Sequence, residues 1–188
     1  MPIIQVSWPH IGKRRPLLIV SDNSGTALLE FAITLPVLLT LYLGCVQICD
    51  VVSVYRKTTT TSRTIVDLTS QQTTVSDGDL DSILAASSQV MAPYSTTKLK
   101  MVVTQVTVNS SGVAKVDWSR ASGTDATADT TASTYTLPSG VAINGTSLVI
   151  SRVNYAYLAD IGGLLRTNIP LADTIYMYPR SVAKIPKT

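Results

Sequence analysis

The sequence predicts an α+β protein in which a long N-terminal membrane helix continues into an amphipathic stalk and packs on a small antiparallel sheet. Three observations predict it. From Phe31 to Cys49 the chain reads FAITLPVLLTLYLGCVQIC, nineteen residues without a charge, which as a helix would be about 28 Å long and match a hydrocarbon core. Past Asp50 the apolar residues recur with helical spacing, and beyond Lys98 they begin to alternate as strands require. The 188 residues, 45% hydrophobic and 14% charged, leave room for one packed domain beside a span.

In chain order, residues 1–25 form a leader that carries Lys13, Arg14 and Arg15, and residues 26–49 form the membrane helix. The far side of the span has Asp50 first and only then Arg56 and Lys57. Positive charge on the leading side favours a cytoplasmic N terminus, which makes residues 50–188 an exported periplasmic or extracellular domain. Pro36 lies inside the span, where it removes the backbone bond to the Ala32 carbonyl and predicts a kink. A secretory signal fits less well, because the stretch is long for an h-region and no small-residue cleavage site follows it before Asp50. A lipoprotein signal ending at Gly44-Cys45 is disfavoured by the bulky Tyr42 and Leu43. Cys45 and Cys49 share a helix face as small apolar filler, with a disulfide between subunits or a reactive thiol as the alternatives.

Val51, Val54, Tyr55, Thr58, Ser62, Ile65 and Leu68 carry the helical period onward as a stalk, against the poor helix propensity of Thr58 to Thr61. A second helix is marked by caps at Ser76 and Asp77, by Asp79 and Asp81 in its first turn, by the stripe Leu80, Ile83, Leu84, Val90, Met91, and by Pro93 after it. Lys98 to Val108, the turn Asn109-Ser110-Ser111-Gly112 and Val113 to Trp118 read as a hairpin with Ala114, Val116 and Trp118 on one face. Asn144-Gly145 precedes a strand from Leu148 to Tyr157, and Thr174 to Tyr178 offers a short fourth. Between them a polar segment, 119–134, has almost no apolar anchor and reads as a mobile loop. The alternating tyrosines at 155, 157, 176 and 178 read as sheet packing, with an exposed binding stripe as the alternative.

Composition excludes several function classes. A net charge of +3 without a domain-wide basic field gives no reason to expect a nucleic-acid partner. His10 is the only histidine and lies in the leader, so the exported domain can build neither a Ser-His-Asp triad nor a histidine-ligated zinc site. Asp77-Gly78-Asp79-Leu80-Asp81 starts like a calcium loop, but Ser82 stands where the turn glycine and Ser88 where the closing glutamate would be. No phosphate-binding loop or dinucleotide fingerprint is present. The expectation is a protein that is not an enzyme and needs neither cofactor nor metal.

The residue that asks for a role is Glu30, the only glutamate of the chain, at the head of the apolar stretch. An ionised acid inside a membrane helix costs about 2.5 to 3.5 kcal/mol at the centre and less toward the interface. Taken alone, it reads as a carboxylate at a helix start, where the macrodipole welcomes it. Taken with its neighbours, Ser24-Gly25-Thr26-Ala27-Leu28-Leu29-Glu30-Phe31 before an apolar helix resembles the class III processing site of type IV pilin-like proteins. The longer run Gly25 to Ala32, then Leu35-Pro36 and a leucine-rich stretch to Gly44, is similar to the opening of TadE-like and TadG-like proteins of tight-adherence (Flp) pilus systems. Leu137-Pro138-Ser139-Gly140 and Val153-Asn154-Tyr155-Ala156-Tyr157 resemble the closing strands of that group.

The resemblance implies a pilin-like fold in the bacterial inner membrane and cleavage after Gly25 by a prepilin peptidase. Cleavage would leave the Thr26 ammonium one helical turn from Glu30. Paired within a chain or between neighbours, the two charges neutralise each other, and pairing between neighbours would set the register of packed helices, with Thr34 continuing the polar stripe and Pro36 as a point where the packed helix can bend. The implied partners are the peptidase, the inner membrane, and other pilin and pilus-assembly subunits, with the extracellular pilus as the alternative location. An uncleaved, single-pass periplasmic adaptor is the alternative.

Overall fold

The computed structural model describes residues 24–161 and 165–188. His10, the Lys13-Arg14-Arg15 cluster and the rest of the expected leader before Ser24 lie outside the described residues. The chain divides into two compact units, residues 1–42 and 43–188. Helix α1 spans Ser24–Ser70 and α2 spans Asp77–Ser88; the strands are β1 Leu99–Val108, β2 Ala114–Ser122, β3 Thr134–Tyr135, β4 Ser147–Ile161 and β5 Leu165–Met177.

In the first unit, the side chains from Gly25 to Tyr42 are all exposed. Pro36 is accommodated within α1, which runs through it as one helix, and the Thr40 hydroxyl donates to the Pro36 carbonyl at 2.8 Å.

In the second unit, α1 continues as the expected stalk and buries Val54, Thr58, Thr61, Ser62, Ile65, Val66, Thr69 and Ser70. Tyr55, expected on this stripe, is exposed. Most of the buried face is small or hydroxylated, which lets helix and sheet approach closely: the Ser62 hydroxyl reaches the Ser151 carbonyl of β4 at 3.4 Å. In the threonine run two hydroxyls bond back one turn, Thr58 to the Val54 carbonyl at 3.0 Å and Thr60 to the Arg56 carbonyl at 2.9 Å, satisfying side chains that would otherwise compete with the helix. The N-cap of α2 is as expected. Ser76 and Asp79 form a reciprocal capping box, and those hydrogen bonds from Ser76 hold the Asp79 carboxyl below its ordinary range.

The sheet has five antiparallel strands in the order β3-β2-β1-β4-β5, where four were expected. β5 begins well before Thr174 and pairs with β4 from Ile161↔Leu165 to Val149↔Met177. Its first half lacks clean alternation and contains Pro170, which hides it from a period-two reading. A bulge corrects a second expectation. The register of β1 and β2 shifts between Gln105 and Val106, leaving Asp117 as the extra residue. Trp118 therefore turns to the inner face with Met101 and Val103, whereas Ala114 and Val116 stay with Val106, Val108, Leu148 and Ile150 on the outer one.

The inner core joins Val54 and Ile65 of α1, Leu80 and Leu84 of α2, and Leu99, Val103, Val153 and Tyr155 of the sheet. Residues 180–188 strap it closed. Arg180 N–H donates to the Ser70 carbonyl, Val75 N–H to the Pro186 carbonyl and Thr188 N–H to the Val75 carbonyl, at 2.9 to 3.0 Å, while Trp118 Nε1 donates to the Ile185 carbonyl at 2.9 Å. Segment 123–133 is pinned at its middle: Asp129 receives Arg152 Nη2 and the Thr104 hydroxyl, each at 2.7 Å, and its N–H donates to Ser119 Oγ at 3.0 Å. On β5, an outer strand of the sheet, the Thr174 N–H donates to the Asp173 carboxylate at 3.1 Å.

Candidate functional site

Two sites stand on α1. The first is the surface that starts the helix. Gly25, Thr26, Glu30, Thr34 and Pro36 all lie on exposed helix, and a Cβ built on Gly25 would meet nothing within 4 Å. Leu28, Leu29, Phe31, Ile33, Val37 and Leu38 are exposed with them. So many bare large apolar side chains on one helix mark a surface meant for a bilayer or for other helices. Among the described residues, α1 is the one helix long and apolar enough to cross a membrane. The thiols of Cys45 and Cys49 are free and exposed.

The second site lies where the apolar stretch ends. Gln47 and Asp50, one turn apart, both turn toward β4. Gln47 Nε2 donates to the Tyr157 hydroxyl at 2.6 Å, and that hydroxyl donates to Asp50 Oδ2 at 2.5 Å. The Tyr94 hydroxyl donates to Asp50 Oδ1 at 2.6 Å. Asp50 thus receives a phenol on each oxygen, and charge-assisted bonds of this kind are about twice as strong as neutral ones. Burial pushes the Tyr157 phenol up to about 12, with the Asp50 carboxylate adding to the effect. For Tyr94 the hydrogen bond to Asp50 is the larger cause of its upward shift, and for Tyr155 it is burial. Each of these phenols keeps its proton and remains a donor at neutral pH. The cluster clamps the helix to the sheet at the end of the apolar stretch, and Lys57 Nζ, donating to the Val90 carbonyl at 3.2 Å, adds a tie one helical stretch further on.

The first group is the one the sequence singled out, by spacing and by resemblance. The second was missed, although Gln47 is the one amide in an apolar stretch and sits three residues before Asp50, a polar face with something to meet. Tyr155 and Tyr157 are buried, Tyr176 packs in the outer cluster and Tyr178 is exposed, its hydroxyl on the Val141 carbonyl at 3.3 Å, so sheet packing accounts for three of the four. Asp77 and Asp81 pair with Arg120, at 3.5 and 2.6 Å, and Asp77 also with Lys187 at 2.8 Å. Among the described residues, no three His, Cys, Asp or Glu side chains gather to hold a metal ion.

A helix bare and apolar at its start, rooted further on in an α+β domain by small side chains and a tyrosine–aspartate clamp, fits a single-pass membrane anchor. Residues 25–67 match the model of the TadE-like protein family. Over those residues, the apolar stretch and most of the stalk, the chain is similar to that family. The matched region ends within α1, three residues before its last residue, Ser70. No curated protein and no solved structure matches the chain.

Proposed function

We propose that this protein is a minor pilin or pseudopilin of a Tad (Flp) pilus, held in the bacterial inner membrane by residues 26–49 with its N terminus cytoplasmic and residues 50–188 periplasmic. It is a substrate of a prepilin peptidase, not itself an enzyme. The observation that carries the reading is the exposed, apolar start of α1 with Glu30 as its one acid, five residues after Gly25. Cutting after Gly25 frees the Thr26 amine one turn from Glu30. In a low-dielectric surrounding an opposite charge at that distance offsets the desolvation of the carboxylate. Supplied by a neighbouring subunit, the amine aligns the helices of adjacent pilus subunits.

The uncleaved adaptor is favoured by one observation: Gly25 and Thr26 are already helical, and a peptidase takes extended backbone. The first turn of a helix lacks intrahelical acceptors for its N–H groups and unwinds at low cost, so the two readings part on the mature N terminus. Intact-mass measurement of protein isolated from cells is expected to give a chain starting at Thr26. A chain starting at Met1 makes the protein an adaptor, and an acylated Cys45 overturns both.

A further inference from the structure

We propose that the outer face of α1 from Val52 to Arg63 docks an acidic amphipathic helix of a different subunit; that this partner belongs to a pilus rests on the function proposed above. Past the apolar stretch, α1 goes on showing apolar surface. Val52 is 43% and Tyr55 46% exposed, and with half-buried Thr59 they stand three and four residues apart, the spacing at which one helix packs along another. The sheet takes the other side of α1, where Val54, Thr58 and Ser62 are buried.

Two cations flank this stripe. Arg56 and Arg63 are exposed, and with Tyr55, Thr59 and Thr60 they line a groove of about 400 Å³. Among the described residues neither arginine has an ion pair. The Asp67 carboxylate, one turn beyond Arg63, is already taken on both oxygens, by Arg180 Nη2 at 3.0 Å and by Gln71 Nε2 at 2.9 Å. A guanidinium fork is shaped for a carboxylate. The two forks are seven residues apart, about 10.5 Å along the helix, which is the spacing of acids two turns apart on a helix lying alongside.

Other occupants fit less well. Residues 51–66 carry Arg56, Lys57 and Arg63 and no acid, so a second copy at the same level would set arginine against arginine. Anionic lipid would reach only part of the face, given Phe31–Cys49 as the span. The polar layer outside the hydrocarbon is about 5 to 8 Å deep, whereas Arg56 stands about 10 Å and Arg63 about 21 Å past Cys49. Helical side chains lean toward the N terminus, which lets Arg56 reach that layer and leaves Arg63 well outside it. An added strand is discouraged by β5, where the Thr174 N–H is held by Asp173 and Pro170 has none to offer.

The test is a Val52→p-benzoylphenylalanine substitution in the full chain, photocrosslinked in cells, with the linked peptide sequenced by mass spectrometry. The expected peptide comes from another chain and carries two or more Asp or Glu within seven residues of the link. Arg56→Glu with Arg63→Glu is expected to cut the yield at least about tenfold, since like charges across an interface repel, with the denaturation midpoint unchanged; Arg56→Lys with Arg63→Lys keeps most of the yield. A link to this same chain, to lipid or to a peptide without acids overturns the docking, as does no link or a yield indifferent to charge reversal. A mature chain starting at Met1 with the acidic link intact removes the pilus reading alone, and one starting at Thr26 without the link removes the docking alone.

Discussion

The two halves of α1 invert each other. From Gly25 to Cys49 the helix shows large apolar side chains to its surroundings; from Asp50 to Ser70 it buries threonine and serine beside Val54, Ile65 and Val66. In a water-soluble helix the assignment would be the reverse. The difference shows that one helix is built for two environments. The first half leaves its apolar surface uncovered, and small side chains in the second let the backbone come near the sheet. The change falls at Gln47 and Asp50, where the Tyr94 and Tyr157 clamp sits.

The comparison can be tested by perturbing each half and reading both assembly and fold stability. The largest effect is expected from Glu30→Ala. On the proposed function, cleavage after Gly25 continues, incorporation into pili is lost, and the denaturation midpoint of residues 50–188 stays where it was; normal piliation by this variant would remove the register role of Glu30. Ile65→Ala does the opposite. Ile65 is fully buried, and emptying such a site costs about 2 to 5 kcal/mol, read as a lowered midpoint in chemical denaturation of the detergent-solubilised chain.

The smallest effect belongs to the clamp and appears only in alkali. Folded Tyr157 holds its proton to about 12, whereas an unfolded tyrosine releases it near about 10. Between those values the folded state binds more protons than the unfolded one, so stability is intact below pH 10 and falls as pH rises toward 12. Tyr157→Phe is expected to flatten that fall. Tyr94 and Tyr155, shifted the same way, keep it from vanishing, and a midpoint-against-pH series reads the difference.

Features written in local residues were legible in the sequence. Ser76 and Asp79 are three apart and form their capping box, and the turn at Asn109 to Gly112 has the glycine its positive φ of 78 requires. What was illegible depends on partners distant in the chain. The Asp50 clamp joins residues 107 positions apart, and the pinning of segment 123–133 depends on Arg152 and Thr104 accepting a place beside Asp129. The face taken by Trp118 turns on a single inserted residue, Asp117, whose carboxylate is used by Gln105, Thr107 and Lys184. Alternation along one strand carries no trace of that slip.

The hydrogen bond from Thr174 to Asp173 on β5 bears on how copies of this chain behave when crowded. An outer strand offers its unpaired amides to any neighbouring strand, and confinement to a membrane plane would bring many such strands together. On β5 one of those amides is already taken by Asp173, and Pro170, four residues before Thr174 on the same side of the strand, has none to give. Sheet-to-sheet zippering between neighbours is thereby discouraged.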